Sequence, residues 1–188
     1  MTETLTKAIK RPGAVPAFLA GLGVFATLLL IGFVRTLLST AYAVTAASAG
    51  ADYVGAIWSQ RLQESLSGLL PFAAGVFLCF WQIAPIAPVL RLAHVVTRSL
   101  LAAVVGAAVM WLAYMVVEVV VEVANTPFAT PAVEVIQRLG PDALQALFRA
   151  LAVTAGYLPV AALAGILLWG WLQRHPLDRP VHGALDEV

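Results

Sequence analysis

Apolar positions along this chain follow neither the alternation of half-buried strands nor the narrow stripes of soluble helices; they form long runs. Four of these, Ala17–Leu38, Leu69–Leu90, Ser99–Val123 and Leu151–Leu172, each hold 22 to 25 residues. About 20 helical residues cross ~30 Å of hydrocarbon. A helix satisfies its own backbone groups in lipid, and these runs far exceed the ~10-residue strands of a membrane barrel. The pattern predicts an all-α integral membrane protein with four transmembrane helices.

The polar interruptions carry their own periodicity. Between the first two runs, Val54, Trp58, Leu62 and Leu66 recur at i, i+4 spacing, with Ser59, Gln60, Gln63 and Glu64 on other faces. That spacing predicts a short amphipathic helix lying in the outer interface, Trp58 at headgroup depth. Between the last two runs, Pro131–Leu139 reads as one helical piece ended by Gly140, and Pro141 opens another at the favoured first position. There Leu144, Leu147, Phe148 and Leu151 make an apolar stripe opposite Asp142, Gln145 and Arg149. Residues 1–16 form a cytoplasmic arm, 17–172 the membrane domain and 173–188 a cytoplasmic tail; arm and tail are too short to fold alone.

Each half thus reads span, amphipathic outer segment, span, the order expected of a parallel internal repeat. Residue-by-residue similarity is weak, and two outer loops of similar length explain the order more simply. Pro85 and Pro88 in "QIAPIAPVL" predict a kink or irregular backbone near the end of the second span, and Pro159 predicts a kink in the fourth. Small residues four apart (Ala17 and Gly21, Ala102 and Gly106, Ala152 and Gly156, Ala161 and Gly165) mark faces where helix backbones approach closely.

Composition supports lipid as the solvent. The chain is 61% hydrophobic and 11% charged, with a mean hydropathy of +0.91, whereas soluble domains carry roughly 25% charged residues. A net charge of +1 gives no nucleic-acid footprint. The lone Cys79 makes no intramolecular disulfide and reads as a small buried hydrophobe. Lys7, Lys10 and Arg11 ahead of an apolar run, with Ala47-Ser48-Ala49 after it, resemble a signal peptide. The run exceeds the usual 7–15-residue apolar core, and Arg35 interrupts it, so a retained anchor is expected.

Lysine and arginine set the orientation. With both termini inside, the cytoplasmic segments hold Lys7, Lys10, Arg11, Arg91, Arg98, Arg174 and Arg179, and the outer side Arg35, Arg61, Arg138 and Arg149. The excess predicts both termini in the cytoplasm. The alanine- and valine-rich composition fits a bacterial plasma membrane.

The sharpest question is posed by "VVEVVVEV", Val116–Val123. Glu118 and Glu122 share a helix face, with Trp111, Met115 and Asn125 nearby. Glu118 lies roughly 28 Å along its span and Arg35 roughly 27 Å along the first, so opposite charges sit at about equal depth. The simplest expectation is an Arg35–Glu118 ion pair, with Glu122 reaching water at the helix end. Competing readings are a cation or proton site built on the two carboxylates, with Gln82 and Asn125 as further polar lining, and a contact with a charged group of a partner protein.

GxxxxGK[ST], HExxH and paired-cysteine motifs are absent from the sequence. His94, His175 and His182 fall at or beyond span ends, which argues against a haem held within the bundle. No catalytic residue, cofactor or metal ligand is expected. The sequence therefore favours a non-catalytic accessory or assembly subunit that contacts lipid and other membrane subunits or its own copies. The runner-up is a small, oligomeric transporter or channel using Arg35, Glu118 and Glu122 near the outer face.

Overall fold

The computed structural model describes residues 13–46, 51–125 and 132–175, with side chains for 13–45, 52–124 and 140–175. Most of the arm and tail, Pro131, and the side chains of Asn125 and of 132–139 lie outside the described residues. All regular structure among the described residues is helical. Helix α1 spans Ala14–Ala46, α2 Ala51–Glu64, α3 Leu70–Leu78, α4 Leu92–Asn125 and α5 Ala132–Arg174. Among the described residues, four helical rods are long and apolar enough to cross a membrane: Ala14–Thr45, Asp52–Ile83, Leu92–Ala124 and Gly140–Arg174.

The rods are longer than the apolar runs because their polar neighbours continue them. The expected interfacial helix does not stand apart. Helix α2 runs through a π turn, Ser65–Leu69, directly into α3. Proline explains the π turn: Pro71 has no N–H, and its ring crowds the Ser67 carbonyl four residues back. Widening one turn relieves that crowding, and the Leu70 N–H bonds the Ser65 carbonyl instead. A second π turn, Cys79–Ile83, precedes Pro85 for the same reason and closes with a 2.8 Å bond from the Ala84 N–H to the Cys79 carbonyl.

The second rod therefore ends at Ile83, not at Leu90 as the apolar run suggested. Residues 84–91 are irregular, as the two prolines predicted, yet Ala84–Ala87 are buried against one end of the bundle. Buried irregular backbone needs polar partners, and the Arg98 guanidinium donates to the Pro85 carbonyl. The expected break at Gly140–Pro141 is absent: α5 runs unbroken through both Pro141 and Pro159. Each proline removes one backbone hydrogen bond from the helix interior, and in a membrane helix neighbouring groups absorb the disturbance.

The rods close into a ring. Helix α1 packs on α3 and α5, and α4 packs on the same two, which places α1 and α4 across a diagonal. Phe72, Phe80, Leu69, Val76, Met110 and Val95 are fully buried and fill the axis. Phe72 reaches across to Tyr157, with ring centroids 5.2 Å apart. Three of the four small-residue pairs hold helices together. A Cβ on Gly21 would stand 2.9 Å from that of Phe77, one on Gly106 2.8 Å from the Phe72 ring, and one on Gly165 1.9 Å from Ser99 Oγ. The fourth, at Gly156, faces open space.

Candidate functional site

Polar side chains gather at the end of the bundle that bears α2 and the start of α5, in two clefts. The first, about 290 Å³, lies between α1 and α2 and is lined by Arg35, Thr36, Ser39, Ile57, Gln60, Arg61 and Glu64. Helix α2 reaches it inside out. Leu62 and Leu66, half of the apolar stripe, point outward, while Arg61, Glu64 and Ser65 turn toward the bundle. Charged groups in membrane segments face the interior because lipid offers them no partner. Arg61 and Glu64 form an ion pair at 2.7 Å, one turn apart.

A glycine makes room for this pair. A Cβ on Gly32 would fall 1.4 Å from a guanidinium nitrogen of Arg61, so the planar head lies in the notch that Gly32 leaves on α1. Phe33 packs on Trp58 beside it, centroids 5.5 Å apart, fixing α2 on α1. Hydroxyls along the cleft spend their bonds locally: Thr36 donates to the Gly32 carbonyl and Ser65 to the Arg61 carbonyl, each at 2.9 Å.

The second cleft, about 110 Å³, lies between α4 and α5 and is lined by Tyr114, Glu118, Asp142, Gln145, Ala146 and Arg149. The Arg149 guanidinium stands over the Tyr114 ring, 4.9 Å from its centroid, a cation–π contact. The Trp111 indole N–H donates to the Ala143 carbonyl at 3.2 Å and ties the two helices at this level. Tyr114 runs inward from the cleft, and its hydroxyl lies 2.7 Å from where a Cβ on Gly68 would stand. That hydroxyl and the Thr154 hydroxyl are buried without a hydrogen-bond partner among the described residues.

The structure sorts the expected residues apart. Arg35 is exposed in the first cleft and Glu118 exposed in the second. No ion pair joins them among the described residues, whereas Arg61 and Glu64 do pair. Equal depth does not bring them together, because their helices occupy opposite corners of the ring. Glu122, one turn beyond Glu118, is half-buried and does not line the cleft of Glu118. Gln82 is exposed in the second π turn, at the far end of its rod. The side chain of Asn125 lies outside the described residues.

Arg61, Glu64, Asp142 and Arg149 complete the clefts and were not singled out as site residues from the sequence. The spacing of Leu62 and Leu66 held the signal for the first two, since an apolar stripe next to lipid leaves the charged face for the bundle. No group of three or more His, Cys, Asp or Glu side chains able to hold a metal ion occurs among the described residues. Compared with protein-family models, curated proteins and solved structures, the chain matches none.

Proposed function

We propose that this chain is a multi-pass protein of a bacterial plasma membrane, both termini cytoplasmic, serving as a non-catalytic accessory subunit of a larger membrane complex. One observation carries the reading. Arg35 and Glu118 are exposed charges on diagonal helices, set among exposed Val34, Leu37 and Leu38 and exposed Val119, Val120 and Val121, with no ion pair to either among the described residues. The open side of each cleft adjoins this apolar surface, and a charge that faces hydrocarbon costs about 2.5–3.5 kcal/mol at mid-depth and less toward the interface. Counter-charges on a neighbouring chain remove that cost. The orientation rests on the excess of lysine and arginine on the side of the termini.

The test is purification of the tagged protein in mild detergent at native expression, with mass spectrometry and native mass determination. A near-stoichiometric partner is expected, and Arg35→Gln and Glu118→Gln each reduce its recovery without lowering the amount of folded chain. Purification as a monomer or homo-oligomer, with partner recovery indifferent to both substitutions, rejects the reading.

Ion or proton transport is the second reading, and one feature favours it: Glu118 and Asp142 face one cleft from α4 and α5 beside Arg149. The filled axis of the bundle directs any such path to an interface between chains. Under this reading Glu118→Gln changes flux in proteoliposomes while fold and partner recovery stay intact.

A further inference from the structure

At the opposite end from the clefts, α1 and α5 part to leave a groove of about 810 Å³, within the range of ligand sites. Two glycines keep it open. Gly23 on α1 and Gly170 on α5 both line it, and a Cβ on either would meet nothing within 4 Å. Leu19, Leu163 and Leu167 form apolar walls, and Arg174 stands at the mouth with Trp171.

Three features describe an occupant. From Pro16 to Thr27 the α1 wall rises about 17 Å, close to the ~15 Å depth of one leaflet's hydrocarbon. The groove is therefore as long as one acyl chain, and it opens sideways between two helices where lipid lies. The charge sits at one end, where Arg174 closes α5. Trp171, 43% exposed and stacked on His175 with centroids 4.9 Å apart, is the amphipathic ring typical of headgroup depth. An apolar slot one leaflet deep under a cation is complementary to a lipid with an anionic headgroup.

We propose that the α1–α5 groove binds one acyl chain of an anionic phospholipid, with the phosphate at Arg174. The site is independent of the accessory reading, since it uses neither polar cleft. A second copy of the chain is the competing occupant, and the groove's single charged end argues for the lipid.

Native mass spectrometry of the full chain in mild detergent tests this, with added dioleoyl phosphatidylglycerol or dioleoyl phosphatidylcholine. One tightly held phosphatidylglycerol is expected. Arg174→Gln weakens it about fivefold and leaves phosphatidylcholine unchanged, the worth of one arginine at an anionic surface. Gly23→Leu and Gly170→Leu fill the slot and weaken the first lipid by about tenfold or more. A Cβ at either position meets nothing within 4 Å, so both variants melt at or slightly above the wild-type temperature. Gly156→Leu, on the same helix but outside the groove, keeps binding intact. Equal retention of lipid by wild type and both groove variants overturns the proposal, as does equal loss in Gly156→Leu. A dimer that Gly23→Leu dissociates, with no lipid bound to wild type, overturns it in favour of a second copy.

Discussion

The seam between α3 and α4 and the seam between α1 and α5 are both lined by glycine, and glycine acts in opposite ways in the two. At the first, a Cβ on Gly75 would stand 2.6 Å from the Cα of Gly106 and 3.0 Å from the Val105 carbonyl oxygen. Backbone meets backbone, and dispersion between closely packed helices replaces the hydrophobic drive that lipid removes. At the second, Gly23 and Gly170 face nothing within 4 Å and leave a hollow. The second rod is accordingly the most buried, with 44% of its most apolar window inside the bundle, and α5 the least, with 17%. The same residue makes a contact or a cavity depending on what stands opposite.

Substitutions at these glycines grade the contrast. Gly75→Ala is expected to cost about 2–3 kcal/mol, because the new methyl meets rigid backbone that must separate. Reversible unfolding in mixed micelles measures it, and a change below about 0.5 kcal/mol would mean the seam is looser than its geometry. Gly165→Ala is expected to cost less, about 1 kcal/mol, because the obstacle is the movable Ser99 hydroxyl. That hydroxyl now donates to the Val95 carbonyl at 2.8 Å, and Ser99→Ala in the same chain should recover most of the loss.

Gly23→Ala belongs to the open seam and should stabilise by ~0.5–1 kcal/mol, the gain of alanine over glycine in an uncrowded helix. A destabilisation there would show that the groove closes in the bilayer. The smallest effect concerns charge. Double-mutant cycles should find Arg35→Gln and Glu118→Gln additive within about 0.5 kcal/mol, as for residues on separate elements. Arg61→Gln and Glu64→Gln should couple by up to about 1 kcal/mol, the range for a partly exposed pair. Strong coupling of Arg35 with Glu118 would require α1 and α4 to become neighbours, undoing the ring.

Much of the candidate site was hidden by a property of lipid. Near Leu62 and Leu66, an apolar stripe reads in water as the face that packs; beside hydrocarbon it is the face that looks out, leaving Arg61 and Glu64 inside. Arg35 and Glu118 were legible as unusual charges, and their depths follow from the rise of a helix. That they never meet is decided by ring order, which no local pattern records. Pro85 and Pro88 were legible as a break, while the burial of Ala84–Ala87 required the bundle end to be seen.

The sequence by itself determined the number of apolar rods and the solvent they suit, because length and hydropathy are local properties that a helix in lipid must satisfy alone. It also determined that glycine and alanine would make some of the contacts. Tertiary structure alone decided which faces turn inward, which glycines touch and which leave space, and which charges share a cleft. The physical reason is that lipid and a neighbouring helix are equally apolar, so hydrophobicity does not tell an inner face from an outer one, and shape does.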